Sequence, residues 1–260
     1  MIHRYVAGTL VLLVVAINLL AWRYRRQGAF LGTPLFLLAM IGFQAALGMW
    51  TVTLKLLPIV VMGHLLGGLF TFGGLVYLNL SHYFNVSSVP VTRWRYGLYG
   101  AIGIVLAQIA LGGWVSSNYA GLACIGFPQC NGQWFPTMTW QSSFQLWSSI
   151  GLNYQGGLLD NASRVTIQMV HRFGAVFTAV YLMTLMGYLF HKASSRIRWI
   201  GTVVLICLFA QFSLGVVNVL YMLPLWAAVA HNGMAALLFA AVLTLHFTLG
   251  TQGASHARLP

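Results

Sequence analysis

The chain has 260 residues, of which 59% are hydrophobic and only 5% are charged, and its mean hydropathy is +0.82. This composition excludes a soluble globular protein, which needs more polar residues to cover its surface, and predicts an integral membrane protein. The net charge of +12 comes from 13 basic residues against Asp160 alone, and the basic residues cluster between apolar runs. Such clustering indicates membrane topology rather than nucleic-acid binding.

Seven apolar segments are each about 20 residues long, the length that an α-helix needs to cross the hydrocarbon core. We predict transmembrane helices at 4–22, 30–50, 58–80, 97–116, 165–190, 199–220 and 225–249. The expected fold class is therefore an all-α integral membrane protein, with a long loop over residues 117–164.

The basic residues of the connecting segments predict the orientation in the membrane. One set of segments contains Arg23, Arg25, Arg26, Arg93, Arg95, Lys192, Arg196, Arg198 and Arg258, and the other contains Arg4, Lys55, Arg164 and Arg172. The positive-inside rule places the richer set in the cytoplasm, so the N-terminus and the long loop face outward and the C-terminus faces inward. The first apolar run ends in Arg23-Tyr-Arg-Arg26 instead of small residues, so no cleavable signal peptide is predicted.

The sequence contains an internal duplication, and an internal repeat constrains the architecture of the whole fold. Each copy has a histidine pair: His3 and His64 in the first, His171 and His231 in the second. An arginine follows the first histidine of each pair, and the second histidine comes 60 and 59 residues after that arginine. Gln44-Ala-Ala-Leu-Gly48 in the first copy corresponds to Gln211-Phe-Ser-Leu-Gly215 in the second.

The two copies differ in what precedes their first histidine. The span that carries Gln108-Ile-Ala-Leu-Gly112 and the long loop come before His171, whereas two residues come before His3. A complete duplication would have eight spans, so we expect Met1 to be a late start or a truncation, with a true seven-span protein as the alternative. The expected division is an N-terminal half of three spans, residues 1–96, and a C-terminal half of four spans, residues 97–260.

Three of the paired histidines share one depth in the predicted membrane. His64, His171 and His231 lie six or seven residues from the outer end of a predicted helix, about 10 Å into the membrane. Ionisable groups within a membrane usually mark a functional site, although a histidine bonded to a neighbouring carbonyl is the simpler reading for one residue alone. The other histidines are expected to be interfacial or solvated: His82, His191, His246 and His256.

The repeated histidines suit haem better than zinc. A structural zinc site needs four protein ligands, and no cysteine or carboxylate lies at this depth to complete one. Haem needs one or two axial ligands, and the interior of a helix bundle accommodates its apolar macrocycle. Arg4 and Arg172, which follow two of the histidines, could bind haem propionates or extend to the interface.

The long outer loop contains cysteines, aromatic residues and the one acidic residue. Cys124 and Cys130 can form a disulfide that contributes roughly 2 kcal/mol, a redox-active pair being the alternative, while Cys207 is expected to be a packing residue. Aromatic side chains are expected at the membrane surface: Trp134, Trp140, Phe144 and Trp147. Asp160 is expected to cap the helix that begins near Arg164.

Four motifs, in this order, resemble haem A synthase: Gly48–Pro58 leading to His64, Gly121–Gly132 around the cysteines, Asn153–Asn161, and His171-Arg172. The likeness covers essentially the whole chain. It implies a fold of eight helices in two pseudo-symmetric halves. It also implies oxidation of the C8 methyl of haem O to a formyl group, giving haem A for cytochrome oxidase assembly, with water as the source of oxygen.

The resemblance also implies roles for individual residues. His171 and His231 would be the axial ligands of a haem b cofactor, with Arg172 beside it. His3, His64 and Arg4 would form the haem O site, so all four histidines would bind haem iron. Cys124 and Cys130 would form a disulfide. The implied setting is a bacterial inner membrane, with haem O delivered by haem O synthase, an unidentified electron acceptor, and a homo-oligomer left open.

The sequence departs from this family in one respect. The family's first helix, and the first outer loop with its catalytically important acidic residue, have no counterpart here. No catalytic residue is therefore assigned, and we expect the chain from Met1 to bind one haem and leave haem O unconverted. Two other classes remain open: a di-haem electron-transfer cytochrome, and a transporter built from repeats, whose helices would usually be broken at mid-membrane.

Overall fold

The computed structural model describes residues 2–83, 93–147, 159–192 and 194–256. The described residues form the predicted all-α fold, and a 3₁₀ turn at Arg25–Gln27 follows the first helix. The helices are α1 (Ile2–Arg23), α2 (Gly32–Thr53), α3 (Pro58–Tyr83), α4 (Arg93–Ser117), α5 (Trp140–Ser143), α6 (Asn161–Lys192), α7 (Ser195–Leu220) and α8 (Leu225–His256).

The seven predicted spans are confirmed, since seven of the described helices are long and apolar enough to cross a membrane. The protein is therefore a multi-pass membrane protein. The span carrying His171 begins earlier than predicted, at Asn161, because the Asp160 carboxylate accepts a hydrogen bond of 2.9 Å from the backbone N–H of Ser163. The predicted cap is confirmed, but His171 lies ten residues into its helix, deeper than the expected six.

Successive long helices run in opposite directions, so several connections meet at one end of the bundle. This end contains the start of α1, the turn between α2 and α3, the loop between α4 and α6, and the turn between α7 and α8. We call it the disulfide end, because the loop carries the Cys124–Cys130 bridge. His64 and His231, each six residues into a helix that starts here, lie near this end.

Four helices pack as a closed ring, in which α4 contacts α6, α6 contacts α7, α7 contacts α8 and α8 contacts α4. The largest apolar core lies among them and includes Leu98, Leu182, Val204 and Leu245. Helix α3 packs against α4, α8 and α2, and α1 packs against α2. Val14 is the one buried residue of α1, so this helix lies at the edge of the described bundle.

Helices α2, α4 and α7 end in the same way at the disulfide end. In each, a backbone N–H beyond the helix reaches back to a carbonyl in its last turn: Leu56 to Thr51 at 2.9 Å, Ala120 to Val115 at 2.9 Å, and Leu223 to Asn218 at 2.8 Å. This bond closes a helix through residues in the left-handed conformation, which here include Leu56, Tyr119 and Leu223. The same helix ending thus occurs three times among the described residues. The comparison of two sequence copies did not predict a threefold repeat.

Candidate functional site

Three histidines each face a helix that carries the same short motif. The motif Gln-x-x-Leu-Gly occurs at Gln44–Gly48 on α2, Gln108–Gly112 on α4 and Gln211–Gly215 on α7. The helices that pack against these three, α3, α6 and α8, carry His64, His171 and His231. The functional unit is therefore a pair of antiparallel helices, with glutamine and glycine on one and histidine on the other.

The glutamine holds the histidine in two of these pairs by a double contact. Gln108 Nε2 donates to the main-chain oxygen of His171 at 3.0 Å and lies 3.1 Å from its ring Nδ1. The Gln44 amide, in the orientation that satisfies both its ends, donates to the main-chain oxygen of His64 at 2.9 Å and to its Nδ1 at 2.8 Å. Both rings are thereby fixed relative to their own backbone.

The third pair differs, because Gln211 Nε2 lies 3.1 Å from Nε2 of His231 instead of Nδ1. The residue three positions after the histidine accounts for the difference. It is glycine in the first two pairs, Gly67 and Gly174, and a Cβ atom at either position would overlap the glutamine amide. Met234 occupies the equivalent position after His231, so the room for a glutamine against that backbone is lost.

The motif glycine brings each imidazole close to the neighbouring helix. A Cβ atom would lie 3.4 Å from the ring Cε1 of His64 at Gly48, 3.1 Å from that of His171 at Gly112, and 3.2 Å from that of His231 at Gly215. The rings therefore lie edge-on against bare backbone, a close approach that glycine permits. Glutamine and glycine together determine where each ring points.

Each of these rings has a second nitrogen that makes no side-chain hydrogen bond among the described residues. For His64 and His171 this atom is Nε2, and for His231 it is Nδ1, which is buried. His171 and His231 lie on α6 and α8 of the same four-helix ring, whereas His3 and His64 lie on α1 and α3, which both pack against α2. Such an imidazole suits an axial metal ligand when the nitrogen beside the glutamine carries the proton, and the glutamine oxygen is an acceptor for that proton.

The donor set fits haem. Among the described residues, no group of three or more His, Cys, Asp or Glu side chains could hold a metal ion, so they form no zinc site of the structural type. Haem requires at most two protein ligands to its iron, because the macrocycle supplies the others. A pair of histidines in a ring of four apolar helices meets that requirement.

The two arginines that follow a histidine, Arg4 and Arg172, lie in different surroundings. Arg172 donates from Nη2 to the carbonyl oxygen of Cys124 at 2.7 Å and from Nη1 to that of Gln129 at 3.2 Å. A haem propionate or the membrane interface was expected as the partner of this guanidinium; its described hydrogen bonds hold the disulfide loop. His3 and Arg4 lie exposed in the first turns of α1.

The predicted disulfide is confirmed: Cys124 and Cys130 are bonded, and their Cα atoms are 4.8 Å apart. Both residues are buried against Val165 and Met169 of α6, just before His171. Cys207 is free and partly buried, consistent with packing. The disulfide thus lies on the helix that carries the candidate ligand.

The outer loop contains both exposed and packed aromatic residues. Trp134, Trp140 and Trp147 are 60%, 60% and 74% exposed, as expected for rings at a membrane surface. Phe144 instead packs against a buried cluster that includes Trp114 and Ile167. Of the motifs that resemble the family, Asn153–Asn161 lies mostly outside the described residues.

The electrostatics of this loop depend on Asp160. Hydrogen bonds from the side chain and backbone N–H of Ser163 hold the pKa of the exposed Asp160 carboxyl below its ordinary value of 3.8. The carboxylate is therefore the form that the cap favours.

Of the remaining histidines, His191 is exposed near the end of α6, as expected, and His246 is half-buried. His246 packs against the rings of Tyr99 at 4.7 Å and Phe247 at 5.6 Å, because α4 crosses α8 at this point. The side chains of His82 and His256 lie outside the described residues.

Sequence reasoning missed the three glutamines as part of the site. The signal was present, because the segment Gln108-Ile-Ala-Leu-Gly112 is a third copy of the motif recognised at Gln44 and Gln211. A search for a repeat of one helix pair, instead of one half of the protein, would have found it.

Comparison with known proteins identifies the family of the chain. Residues 1–243 match the family model COX15-CtaA, cytochrome oxidase assembly protein. The chain is 40% identical over its whole length to the heme A synthase of Shewanella oneidensis and covers 78% of it. It is 26% identical to that of Rhizorhabdus wittichii, with 93% of the chain matching 68% of the relative. It is 29% identical to that of Methylobacterium radiotolerans, with 94% matching 65%. The chain therefore belongs to the cytochrome oxidase assembly protein family.

Proposed function

We propose that the protein is a haem A synthase, an oxidoreductase that converts the C8 methyl of haem O to a formyl group. The names of its relatives support the reaction. The observation that carries the proposal is the set of three intramembrane histidines, each with one ring nitrogen against a glutamine amide of the neighbouring helix.

The two histidine pairs would bind different haems. His171 and His231 would be the axial ligands of a haem b cofactor among α4, α6, α7 and α8, within residues 97–260. His3 and His64, with Arg4, would hold the substrate haem O against α1, α2 and α3, within residues 1–96. Arg172 would act beside the cofactor while it holds the loop, since its Nε is buried without a partner in the described structure.

The overall reaction balances with one water. The methyl group and one water give the formyl group, and four protons and four electrons leave. The bound haem b supplies redox chemistry, whereas the protein positions the macrocycles and tunes their surroundings. The chain's own contribution is an apolar bundle with fixed imidazoles. The acceptor of the electrons is not identified by these residues.

The proposed location is the bacterial inner membrane. The basic residues outside the disulfide end would lie in the cytoplasm, and the disulfide end would face outward. A disulfide fits that side of the membrane, because it is the oxidising side. Delivery of haem O by a haem O synthase completes the proposed setting.

Haem extraction from membranes tests the proposal. The chain is expressed in cells that make haem O but lack haem A synthase, both alone and joined to those segments of the Shewanella relative that lie outside the match. Haem A or its hydroxylated intermediate from either protein supports the proposal. Two bound haems without conversion in both would instead indicate an electron-transfer cytochrome. His64→Ala should abolish conversion and leave haem b bound.

A further inference from the structure

We propose that Gln108 is a positioning residue for His171, and Gln44 for His64, and that Gly174 and Gly67 are glycine to make room for these glutamines. The inference rests on the proposed function, because it takes both histidines as haem ligands. It assigns to each glutamine the task of fixing the ring plane from the Nδ1 side.

The double contact gives the glutamine this effect. One N–H of the Gln108 amide donates to the main-chain oxygen of His171, which ties the amide to the backbone of α6. The same nitrogen faces Nδ1 of the ring, so the ring cannot turn about its Cβ–Cγ bond without losing that contact. Groups that orient a ligating imidazole in this way typically change metal affinity about 10–100-fold when removed.

A carboxamide suits this position better than other side chains of its size. It presents N–H groups from one end and an acceptor oxygen from the other, and Gln108 Oε1 is buried without a partner in the described structure. With the N–H donor at Nδ1, the ring carries its proton on Nε2. Turning the amide places Oε1 at Nδ1 instead and favours the tautomer whose Nε2 is free for a metal, with the loss of the main-chain bond. Leucine offers neither function, and glutamate at neutral pH only accepts.

The glycines provide independent support from the fold. A methyl group at Gly174 would overlap Gln108 and one at Gly67 would overlap Gln44. Where methionine replaces this glycine, at Met234, the glutamine contacts the other ring nitrogen and, among the described hydrogen bonds, makes none to the main-chain oxygen of His231. The chain thus contains its own comparison. The double contact occurs in the two helix pairs that have the glycine, and it does not occur in the pair that has methionine.

The full chain, purified with its haem, provides the experiment. We compare Gln108→Leu, Gln108→Glu, Gln108→Ala, Gly174→Ala and the double variant Gln108→Ala with Gly174→Ala. The readouts are haem affinity, reduction potential and the spectrum of the ferric haem. Gln108→Leu and Gly174→Ala should each weaken haem binding about 10–100-fold. Gln108→Glu should lower the reduction potential, because a carboxylate at Nδ1 makes the imidazole a stronger donor to iron.

The double variant tests whether the glycine acts through the glutamine. It should bind haem no more weakly than Gln108→Ala alone, because the space needed by the amide is then empty. The control is Gly187→Ala on the same helix, where a Cβ atom meets nothing within 4 Å, and it should match the parent protein.

Three results would overturn the inference. Additive losses in the double variant would show that Gly174 and Gln108 act separately. Parent-like affinity and potential in the Gln108 variants, together with loss of haem in His171→Ala, would refute the positioning role and leave the proposed function standing. Haem binding that survives His171→Ala and His231→Ala unchanged would instead remove the proposed function, and this inference with it.

Discussion

Arg172 Nη2 donates a 2.7 Å hydrogen bond to the carbonyl oxygen of Cys124, across a sequence separation of 48 residues. This bond joins the residue next to His171 to the first half-cystine of the outer loop. A second bond, from Nη1 to Gln129 at 3.2 Å, spans the same loop. The loop and the candidate ligand are therefore positioned by one guanidinium.

We expect Arg172→Gln to destabilise the protein by about 3 kcal/mol, because hydrogen bonds from a charged group contribute about 1.5–3 kcal/mol each. Arg172→Lys should lose less than Arg172→Gln, because the ammonium group keeps the charge. It should still lose some stability, because it cannot hold both carbonyls as a planar guanidinium does. Thermal unfolding in detergent measures both. Arg4→Gln, at an exposed arginine that also follows a histidine, is the matched control; an equal loss there would contradict the argument.

The motif glycines should differ in their tolerance of alanine. Gly112→Ala places a Cβ atom 3.1 Å from the His171 ring, whereas Gly48→Ala places one 3.4 Å from His64. We expect about 1–3 kcal/mol of destabilisation at Gly112 from overpacking, less at Gly215 and least at Gly48. Gly103→Ala on α4, where nothing lies within 4 Å, calibrates the gain in helix propensity of about 1 kcal/mol. Equal behaviour of Gly112 and Gly103 in thermal unfolding would refute the close approach.

The cap at Asp160 should make the stability of the folded protein depend on pH in the acidic range. The Ser163 hydrogen bonds hold the pKa of the folded carboxyl below its ordinary value of 3.8. Its contribution is therefore fully present above the unfolded pKa and is lost as the pH falls through the folded pKa. Asp160→Asn should keep most of the cap, since asparagine accepts the same hydrogen bond. Its stability should depend less on pH than that of the parent protein. Thermal unfolding from pH 6 down to about pH 3 tests this, and parallel curves for both proteins would count against it.

The disulfide should be detectable by thiol labelling. Under denaturing conditions without reductant, we expect label on Cys207 alone, because Cys124 and Cys130 are bonded. After reduction, all three cysteines should react. Cys124→Ser with Cys130→Ser should cost roughly 2 kcal/mol for so short a loop and should also weaken the hold of Arg172, whose acceptors lie in that loop. Labelling of three cysteines before reduction would exclude the bridge.

Local properties of the chain explain which expectations were confirmed. Spans are set by apolar length, so the sequence located all seven. A six-residue separation allows Cys124 and Cys130 to meet, and Asp160 lies three residues before the N–H that it caps. Each of these features involves residues that are close in sequence, so their geometry follows from local rules.

Contacts between helices depended on the tertiary structure. The sequence by itself determined the class of protein, its spans, and three histidines near one end of the bundle. Only the packed structure decided that Gln108 meets His171 across 63 residues, that Arg172 holds the outer loop, and that His246 lies between rings. The physical reason is that lipid and the protein interior are both apolar, so hydropathy fixes where a helix crosses the membrane but not which of its faces meets a neighbour.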